Sequence, residues 1–376
     1  MKHSQLNNNI RIIIAGGGTG GHIFPAIAVA QAIQQMRPSA EILFIGASGK
    51  MEMEKVPQAG YKIIGLTIAG FNRTNIFKNF TLPIKLIKSF FQVKAIFKNF
   101  KPNAVFGVGG YSSFPVLKYA QSLGITNFIH ESNAFAGKSN TWLGKHATKI
   151  FTGTKGMETF FPASEIIVSG NPVRKNIVEA GYIKEDALLH FGLLPNKKTI
   201  LIIGGSLGAA SINEAILQNL TLIFEKNIQI IWQTGKTNAA KYEQAAISFP
   251  NVYTNTFIDD MSAAYTAADI VISRSGAMAV AEICLTGKAC VFVPYPHAAE
   301  DHQTFNAKLL VNDKAALLVK DNEVKQNLIP LVLETLNNEE HLQKLQTNIK
   351  HFSINNADQI IASKIIEIVE SNTKTN

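Results

Sequence analysis

Short apolar runs recur along the chain, and several of them end directly in glycine. The first covers residues 11–15 (RIIIA) and leads into the glycine-rich segment 16–21. An apolar run of this length that stops at glycine is typical of a buried strand entering a tight turn. Helical spacing follows over residues 25–36, and residues 41–45 (EILFI) predict the next strand. The chain therefore opens with a strand, a glycine turn, a helix and a second strand.

The same order restarts in the second half of the chain. Residues 199–203 (TILII) predict a strand, 204–209 (GGSLGA) a glycine turn and 211–224 a helix. Strands that alternate with helices imply parallel βαβ units. We therefore predict an α/β fold with two Rossmann-like, doubly wound parallel-sheet domains that face each other across a cleft. The other predicted strands are 104–108, 127–130, 228–233, 252–254, 270–273 and 289–293.

The length of 376 residues exceeds what one hydrophobic core usually serves. A junction is predicted near 169–174 (SGNPVR), where glycine, asparagine and proline break the periodicity. We expect a first domain over residues 1–170 and a second over 171–355. A C-terminal helix at about 356–370 is expected to pack back on the first domain.

Composition and charge narrow the class of protein. Cys284 and Cys290 cannot build a disulfide framework and have no zinc-like spacing, so both are expected to be buried thiols. Residues 1–9 show no signal peptide, and no run of 18 apolar residues predicts a transmembrane helix. The net charge is +9, and the stretch from Lys55 to His130 holds ten Lys and Arg but no Asp or Glu. Such a stretch attracts nucleic acid or anionic lipid, and charge alone does not choose between them.

The first glycine turn has the geometry of an anion site. A glycine loop between a strand and a helix leaves backbone N–H groups at the helix N-terminus, where they suit a phosphate. Gly16, Gly18 and Gly21 also fit the dinucleotide pattern, but the second strand runs into residues 46–48 (GAS) without the acidic residue that holds the ribose. We therefore expect no cofactor. His22 closes the loop, and its position fits proton transfer as well as a structural role.

Residues 274–277 (RSGA) follow a predicted strand and begin a helix over 277–285. The start of this helix suits a pyrophosphate, and Glu282 lies where a carboxylate could accept both ribose hydroxyls, unless it is a surface residue. Gln303 ends a proline-stiffened loop and suits sugar hydroxyls. No D-x-D pair is placed to hold a metal at the diphosphate, so a metal-free site is expected, with helix termini and Arg174 neutralising the leaving group.

In order and spacing, eight short segments closely resemble the MurG family of bacterial N-acetylglucosaminyltransferases, over nearly the whole chain. The family has the GT-B fold, inverts at the sugar carbon and is peripheral on the cytoplasmic face of the cell membrane. The resemblance implies transfer of N-acetylglucosamine from UDP-N-acetylglucosamine to the 4-hydroxyl of undecaprenyl-diphospho-muramoyl-pentapeptide in peptidoglycan biosynthesis. The segments are 17–22 (GGTGGH), 109–111 (GGY), 130–133 (HESN), 170–174 (GNPVR), 204–206 (GGS), 257–261 (FIDDM), 274–277 (RSGA) and 301–303 (DHQ).

The resemblance also implies residue roles. His22 resembles the proposed general base, with Glu131 as the alternative. The acceptor diphosphate is expected at Gly18, Gly109, Gly110 and Tyr111. The residues expected to bind UDP-N-acetylglucosamine are Thr19, Gly20, Gly21, Asn133, Arg174, Ser206, Ile258, Ala277, Met278, Ala279, Val280, Ala281, Glu282 and Gln303. Departures from the family pattern occur at Ser132, Leu207 and Phe114, and we expect Phe114 to crowd the glycine loop at 109–110.

The family also implies partners. The first domain is expected to bind the acceptor and the membrane, the second to bind the UDP-sugar, and other wall-synthesis proteins are possible partners. Projected as a helix, residues 83–100 place an apolar arc opposite Lys78, Lys85 and Lys88. The arc fits either a core face or an interfacial helix in which Phe77 and Phe80 enter lipid. It contains Leu82, Leu86, Phe90, Val93, Phe97 and Phe100.

Three other functions remain to be separated from this one. A GT-B enzyme with another lipid acceptor, such as diacylglycerol, would share these motifs. A UDP-N-acetylglucosamine 2-epimerase would share the fold but needs several acidic residues around the sugar, and the first half offers mainly Glu131. An RNA-binding protein would explain the charge but not the glycine loops, so no nucleic-acid partner is expected.

Overall fold

A computed structural model describes residues 9–70, 80–173, 177 and 181–375, with side chains up to residue 372. The chain divides into two compact units. The N-terminal unit comprises the described residues of Met1–Ser132, Ala136–Val173 and Asn356–Asn376. The C-terminal unit comprises those of Asn133–Phe135 and Arg174–Asn355. The chain thus passes into the C-terminal unit for three residues, returns, and crosses again after Val173.

The described part of the N-terminal unit contains a seven-stranded sheet in the order β3-β2-β1-β4-β5-β6-β7, with every pairing parallel. The order reverses between β1 and β4, which places a crevice at their carboxyl ends. The strands are β1 (Arg11–Ala15), β2 (Glu41–Ala47), β3 (Lys62–Leu66), β4 (Ala104–Gly107), β5 (Thr126–Glu131), β6 (Lys149–Thr152) and β7 (Ile166–Val168).

Helices cover both faces of this sheet, as a parallel sheet requires. Ile23, Val29 and Ile33 pack on one face, and Val93, Val116 and Leu117 pack on the other. The helices are α1 (Gly20–Met36), α2 (Glu52–Gln58), α3 (Leu82–Phe100), α4 (Ser113–Ser122) and α5 (Lys138–Gly144), with 3-10 turns at Met157–Thr159 and Ala163–Glu165.

The C-terminal helix of the chain belongs to the N-terminal unit. This helix, here α15 (Ala357–Thr375), buries Ile361, Ile365 and Val369 in the cluster that also contains the inner face of α1. An ion pair of 2.6 Å joins Arg37, after α1, to Glu370. The chain therefore ends on the unit in which it began.

The described part of the C-terminal unit contains a six-stranded parallel sheet in the order β10-β9-β8-β11-β12-β13. Its order reverses between β8 and β11, in the same way as at β1 and β4. The strands are β8 (Thr199–Ile203), β9 (Gln229–Gln233), β10 (Val252–Asn255), β11 (Ile270–Ser273), β12 (Ala289–Phe292) and β13 (Leu317–Leu318).

Two hydrophobic clusters lie on the two faces of this sheet. The single helix predicted over 211–224 is wrong in detail, because Asn219 breaks it into two helices. The helices are α6 (Lys184–His190), α7 (Ala210–Gln218), α8 (Leu220–Glu225), α9 (Ala239–Ala246), α10 (Met261–Ala267), α11 (Ala277–Thr286), α12 (His302–Asn312), α13 (Val324–Asn337) and α14 (Glu339–Lys350), with 3-10 turns at Ala299–Asp301 and Asp321–Glu323. The predicted fold class, two doubly wound parallel sheets, is confirmed.

Candidate active site

Two glycine loops pack directly against each other at the switch point of the N-terminal unit. One follows β1 and the other follows β4, and these neighbouring strands pair Ala15 with Gly107 at their last register position. A Cβ on Gly16 would lie 2.8 Å from the carbonyl oxygen of Gly109. Gly110, at φ +82°, leaves no room for a Cβ beside the backbone of Gly17. Glycine is required here because two backbones approach closely.

His22 lies between these two loops, in the first turn of α1. Its Nδ1 is 3.2 Å from the carbonyl oxygen of Gly17 and 3.3 Å from the hydroxyl of Thr19. The other edge of the ring faces Gly109, where a Cβ would lie 3.0 Å from Nε2. The side chain is half-buried, and Thr19 and Gly21 beside it are exposed. Gly18, Thr19, Gly20, Gly21, His22, Gly109, Gly110 and Tyr111 therefore form one group.

The electrostatics of this group suit an anion. The first turns of α1 and α4 carry no acidic residue, and neither helix has a side-chain cap. The first N–H groups of a helix have no partner inside it and carry the positive end of its dipole. Both helices begin at this edge of the sheet, so their ends can neutralise one diphosphate together.

Sequence reasoning missed Glu52, the first residue of α2. Its side chain is 1% exposed and accepts hydrogen bonds of 3.0 Å from the N–H groups of Gly18 and Ala47. The only sequence signal is its place a few residues after β2, where an acidic residue often lies near a glycine loop. Here both carboxylate oxygens bind backbone N–H groups, one in the glycine loop and one at the end of β2.

Tyr111 and Phe114 lie near the second loop. The Tyr111 ring covers Gly18, where a Cβ would lie 3.6 Å from Cε1. Burial, and then the Glu52 carboxylate, raise the pKa of the Tyr111 hydroxyl. Phe114 does not crowd the glycines as expected; it stacks on Trp142 with a centroid distance of 5.3 Å. This departure from the family pattern therefore leaves the described loop geometry intact.

Glu131, the alternative base, ends β5 and is 3% exposed. Its Oε2 accepts hydrogen bonds from the Gly137 N–H at 3.1 Å and from Asn140 Nδ2 at 2.9 Å. These bonds stabilise the segment 132–137.

His130, the residue before Glu131, is fully buried, and its Nε2 lies 3.2 Å from the carbonyl oxygen of Gly170. Burial lowers the pKa of His130 to about 4.

The C-terminal unit repeats the arrangement of two loops after neighbouring strands. Ile203 of β8 pairs with Ser273 of β11, so the loops that follow leave the same edge of the sheet. In the first loop Ser206 is exposed, and its carbonyl accepts the N–H of Lys236 at 3.2 Å. Leu207, a second departure from the family pattern, is 69% exposed.

The second loop leads into α11, which has Gly276 as its N-cap and no acidic residue in its first turn. Residues 277–282, the predicted phosphate and ribose segment, are all half-buried along this helix. Glu282 lies in the middle of α11, and its Oε2 accepts a 3.1 Å hydrogen bond from the hydroxyl of Tyr265. Because Tyr265 is 1% exposed, it fixes the direction of the carboxylate.

Asn133 and Gln303 are brought to this same loop. Asn306 donates to the side-chain oxygen of Asn133 at 3.1 Å and to the carbonyl of Ser275 at 3.0 Å. Ser275 in turn donates to the carbonyl of Gln303 at 2.8 Å. The Asn306 oxygen accepts the N–H of Ala134 at 2.8 Å. Asn306, which sequence reasoning also missed, thus orders the predicted sugar-binding residues around the start of α11.

Two further residues of the C-terminal unit have defined places, Arg274 and Ile258. Arg274 donates to the carbonyls of Val293 and Pro294 at 3.0 and 3.1 Å, so it holds the ends of β11 and β12 together. Ile258 is 2% exposed, and its N–H donates to Gln233 Oε1 at 3.2 Å. Arg174 lies outside the described residues.

Neither a metal cluster nor a membrane-spanning helix occurs in the described ranges, 9–70, 80–173, 177 and 181–375. Within them no group of three or more His, Cys, Asp or Glu side chains is arranged to hold a metal ion. The same ranges contain no helix that combines the length and the apolar character needed to cross a bilayer. Metal independence stays a prediction.

The glycosyltransferase family 28 N-terminal domain matches residues 12–152, and the family 28 C-terminal domain matches residues 199–361. A UDP-N-acetylglucosamine–N-acetylmuramyl-(pentapeptide) pyrophosphoryl-undecaprenol N-acetylglucosamine transferase from Bacteroides fragilis is 48% identical over 96% of both chains. The crystal structure of Acinetobacter baumannii MurG is 30% identical, has a TM-score of 0.77 and covers 95% of this chain and 99% of that one.

A more distant structure shows how far the fold alone extends. The UDP-GlcNAc 2-epimerase from Neisseria meningitidis, bound to UDP-GlcNAc, has a TM-score of 0.65 at 16% identity, with 96% of this chain and 100% of that one covered. At that identity the likeness shows the fold and nothing finer. The two domain matches and the 48% identity over 96% of both chains decide the family: the chain belongs to glycosyltransferase family 28 and, within it, to the MurG family of N-acetylglucosamine transferases.

Proposed function

We propose that this protein transfers N-acetylglucosamine from UDP-N-acetylglucosamine to the 4-hydroxyl of undecaprenyl-diphospho-muramoyl-pentapeptide, with inversion, in peptidoglycan biosynthesis. The observation that carries the proposal is the 48% identity to a transferase named for these substrates over 96% of both chains. The glycine loops of the two units support it, because each unit offers helix N-termini to a phosphate-bearing ligand.

The C-terminal unit is the proposed donor site. The N-terminus of α11 receives the UDP diphosphate, and Glu282, directed by Tyr265, accepts the ribose hydroxyls. Asn133 and Gln303 bind sugar hydroxyls, since both belong to the hydrogen-bonded group around Ser275. Further proposed donor contacts in this unit are Ser206, the backbone of Ile258, and Arg174.

The N-terminal unit is the proposed acceptor site, with the diphosphate of the lipid at the paired glycine loops. His22 is the proposed base. A carbonyl oxygen only accepts hydrogen bonds, so the contact to Gly17 requires the proton on Nδ1. The neutral ring then has its lone pair on Nε2, the nitrogen that can take a proton.

The reaction proposed is a single displacement. The acceptor 4-oxygen attacks C1 of the sugar as Nε2 of His22 takes its proton, and the bond from C1 to the UDP oxygen breaks with its electron pair going to UDP. Helix N–H groups stabilise the charge that develops on the diphosphate. Holding both substrates in position supplies a further part of the acceleration.

Attachment to the cytoplasmic face of the cell membrane is proposed through the outer face of α3, defined as Ile84, Ile87 and Phe91, together with Phe80 just before the helix. Their side chains are 59, 57, 70 and 75% exposed. Lys88, Lys94 and Lys98 on the same helix are exposed as well. Apolar side chains beside lysines suit an anionic lipid surface.

Incubation of the purified protein with radiolabelled UDP-N-acetylglucosamine and lipid-linked muramoyl-pentapeptide tests the proposal. Label should move to the lipid and UDP should be released in equal amount. Diacylglycerol replaces the acceptor in a second reaction, and a third omits acceptor to detect UDP-N-acetylmannosamine, the product of epimerisation at C2 of the sugar. Label in diacylglycerol alone, or epimerised sugar without transfer, would refute the proposed function.

A further inference from the structure

Glu52 is a buried carboxylate that the reaction proposed above leaves without a role. It is 1% exposed, and its two oxygens accept the N–H groups of Gly18 and Ala47, each at 3.0 Å. Burying a charge is costly unless the group is hydrogen-bonded, and these two bonds meet that condition. The carboxylate therefore fixes the loop after β1 to the end of β2.

The carboxylate has almost no room to move. A Cβ on Gly17 would overlap it, and a Cβ on Gly46 would lie 2.5 Å from Glu52 Cγ. Glycine at both positions makes space for this one side chain. The N–H of Gly18 consequently points back to Glu52 rather than towards a phosphate, so contact between Gly18 and the acceptor diphosphate does not use this N–H while the bond is made.

Glu52 and His22 bind the two ends of a single peptide group. Glu52 Oε2 accepts the N–H of Gly18, and His22 Nδ1 lies 3.2 Å from the carbonyl of Gly17, which belongs to the same peptide unit. A carboxylate on the N–H end polarises the peptide and makes its carbonyl a stronger acceptor, because hydrogen bonds in a chain reinforce one another. A stronger acceptor holds the proton on Nδ1.

We propose that Glu52 is a positioning residue that fixes the tautomer and orientation of His22 through the Gly17–Gly18 peptide group. The inference rests on the proposed function, since His22 acts as base only in that reaction. It assigns Glu52 the part that a carboxylate in direct contact with a histidine has in other active sites, with one peptide unit between them.

The test compares the parent with Glu52→Gln, which keeps one acceptor but presents an amide NH₂ to the second N–H. The matched control is Glu54→Gln on the exposed side of α2, where the side chain is 65% exposed. The value of kcat should fall about 10- to 100-fold in Glu52→Gln, because a small misplacement of a reacting group lowers the rate by about this factor. The Kd for UDP should stay within about twofold of parent, because UDP binds the other unit.

Two readouts separate positioning from a merely structural role. In protein labelled with ¹⁵N-histidine, the His22 ring should be the Nδ1–H tautomer in the parent and a mixture in Glu52→Gln. In a His22→Ala background, Glu52→Gln should cause little further loss of kcat. An unchanged tautomer, or an equal loss in both backgrounds, would overturn the inference.

Gly46→Ala provides a second route to the same result if Glu52→Gln does not fold. The added Cβ on β2 displaces the Glu52 side chain without changing its carboxylate to another group. Residue 46 has no left-handed φ, so alanine fits the backbone there. The same tautomer change and the same kcat loss are expected. A parent that makes no lipid product would refute the proposed function. Parental kcat in the folded single variants Gly46→Ala and Glu52→Gln would refute only the positioning role of Glu52.

Discussion

The Nδ1 atom of His22 lies 3.2 Å from the carbonyl oxygen of Gly17, and a Cβ on Gly109 would lie 3.0 Å from Nε2 of the same ring. The first glycine loop thus binds the Nδ1 edge of the imidazole, and the second loop leaves room beside the Nε2 edge only because residue 109 is glycine. This arrangement orients the ring more firmly than a single contact would, which is what a proton-transferring group needs.

His22→Ala should lower kcat by about 10²- to 10⁴-fold, the usual contribution of a general base, and leave the Kd for UDP near the parental value. The fall of kcat at acidic pH, where the ring is protonated, should disappear with the ring. Steady-state rates against pH for parent, His22→Ala and Glu131→Gln make the measurement. Glu131→Gln tests the alternative base, and a near-parental kcat in His22→Ala combined with loss of the acidic limb in Glu131→Gln would move the role to Glu131.

Glu282→Ala should weaken UDP binding. Losing a charged acceptor for the ribose hydroxyls costs roughly 1.5–3 kcal/mol, or about 10- to 150-fold in Kd. Tyr265→Phe removes the 3.1 Å hydrogen bond that directs the carboxylate but keeps the carboxylate itself, so it should cost less. Calorimetric titration of UDP measures both, with Glu334→Ala on the exposed side of α13 as control. An unchanged Kd in folded Glu282→Ala would exclude Glu282 from the site.

Turnover should persist after exhaustive chelation with EDTA. The reason is that helix N-termini can neutralise each diphosphate, that of UDP at α11 and that of the lipid at α1 and α4, and the first turns of these helices carry no acidic residue. Rates of transfer with EDTA, with added Mg²⁺ and with added Mn²⁺ decide the point. Loss of activity that either metal restores would contradict the metal-free reaction.

The free energy of unfolding should decrease as the pH is lowered, because His130 becomes protonated when the chain unfolds. Burial lowers the folded pKa of His130 from 6.5 to about 4, so between these values the unfolded chain binds the extra proton. The contribution of the neutral ring is complete above about pH 6.5 and is lost as pH falls towards 4. It amounts to about 3 kcal/mol at most. Urea unfolding of parent and His130→Asn at pH 7.5 and 5 should show a smaller decrease in the variant; equal decreases would contradict this assignment.

The sequence could predict the strands that end in glycine loops, because a buried parallel strand is apolar throughout and its turn needs glycine. It could not predict Glu52 or Asn306 as organisers of the two sites. Glu52 bonds to Gly18 across 34 residues and Asn306 to Asn133 across 173, and such partners become neighbours only through the order of strands and units. Buried side chains that support a loop through long-range hydrogen bonds are not marked by any pattern in the neighbouring sequence.

Helix α3 shows the limit of periodicity in another way. The apolar arc predicted from residue 82 onwards lies on the inner side, since Val93 and Phe97 are buried and Leu86 and Phe90 are half-buried. A second apolar stripe, Ile84, Ile87 and Phe91, is exposed on the outer face. A helical projection that assumes one apolar face per helix predicts the buried stripe and not the exposed one. Phe77 and Lys78, also proposed for the membrane, lie outside the described residues.

The exposed stripe should bind anionic bilayers, and Ile84→Ser/Ile87→Ser/Phe91→Ser should abolish that binding. Each buried apolar side chain is worth about 1.5–3 kcal/mol, so three outweigh the lysines at about 1 kcal/mol each. Sedimentation with anionic and zwitterionic vesicles, at low and high salt, measures it. Leu189→Ser/Leu194→Ser/Ile247→Ser is the matched control, because these C-terminal-unit side chains are 62, 56 and 74% exposed. Lys85→Gln/Lys88→Gln should weaken binding partly and only at low salt. Equal binding by the α3 variant and the control would show that the outer face of α3 has no part in membrane binding.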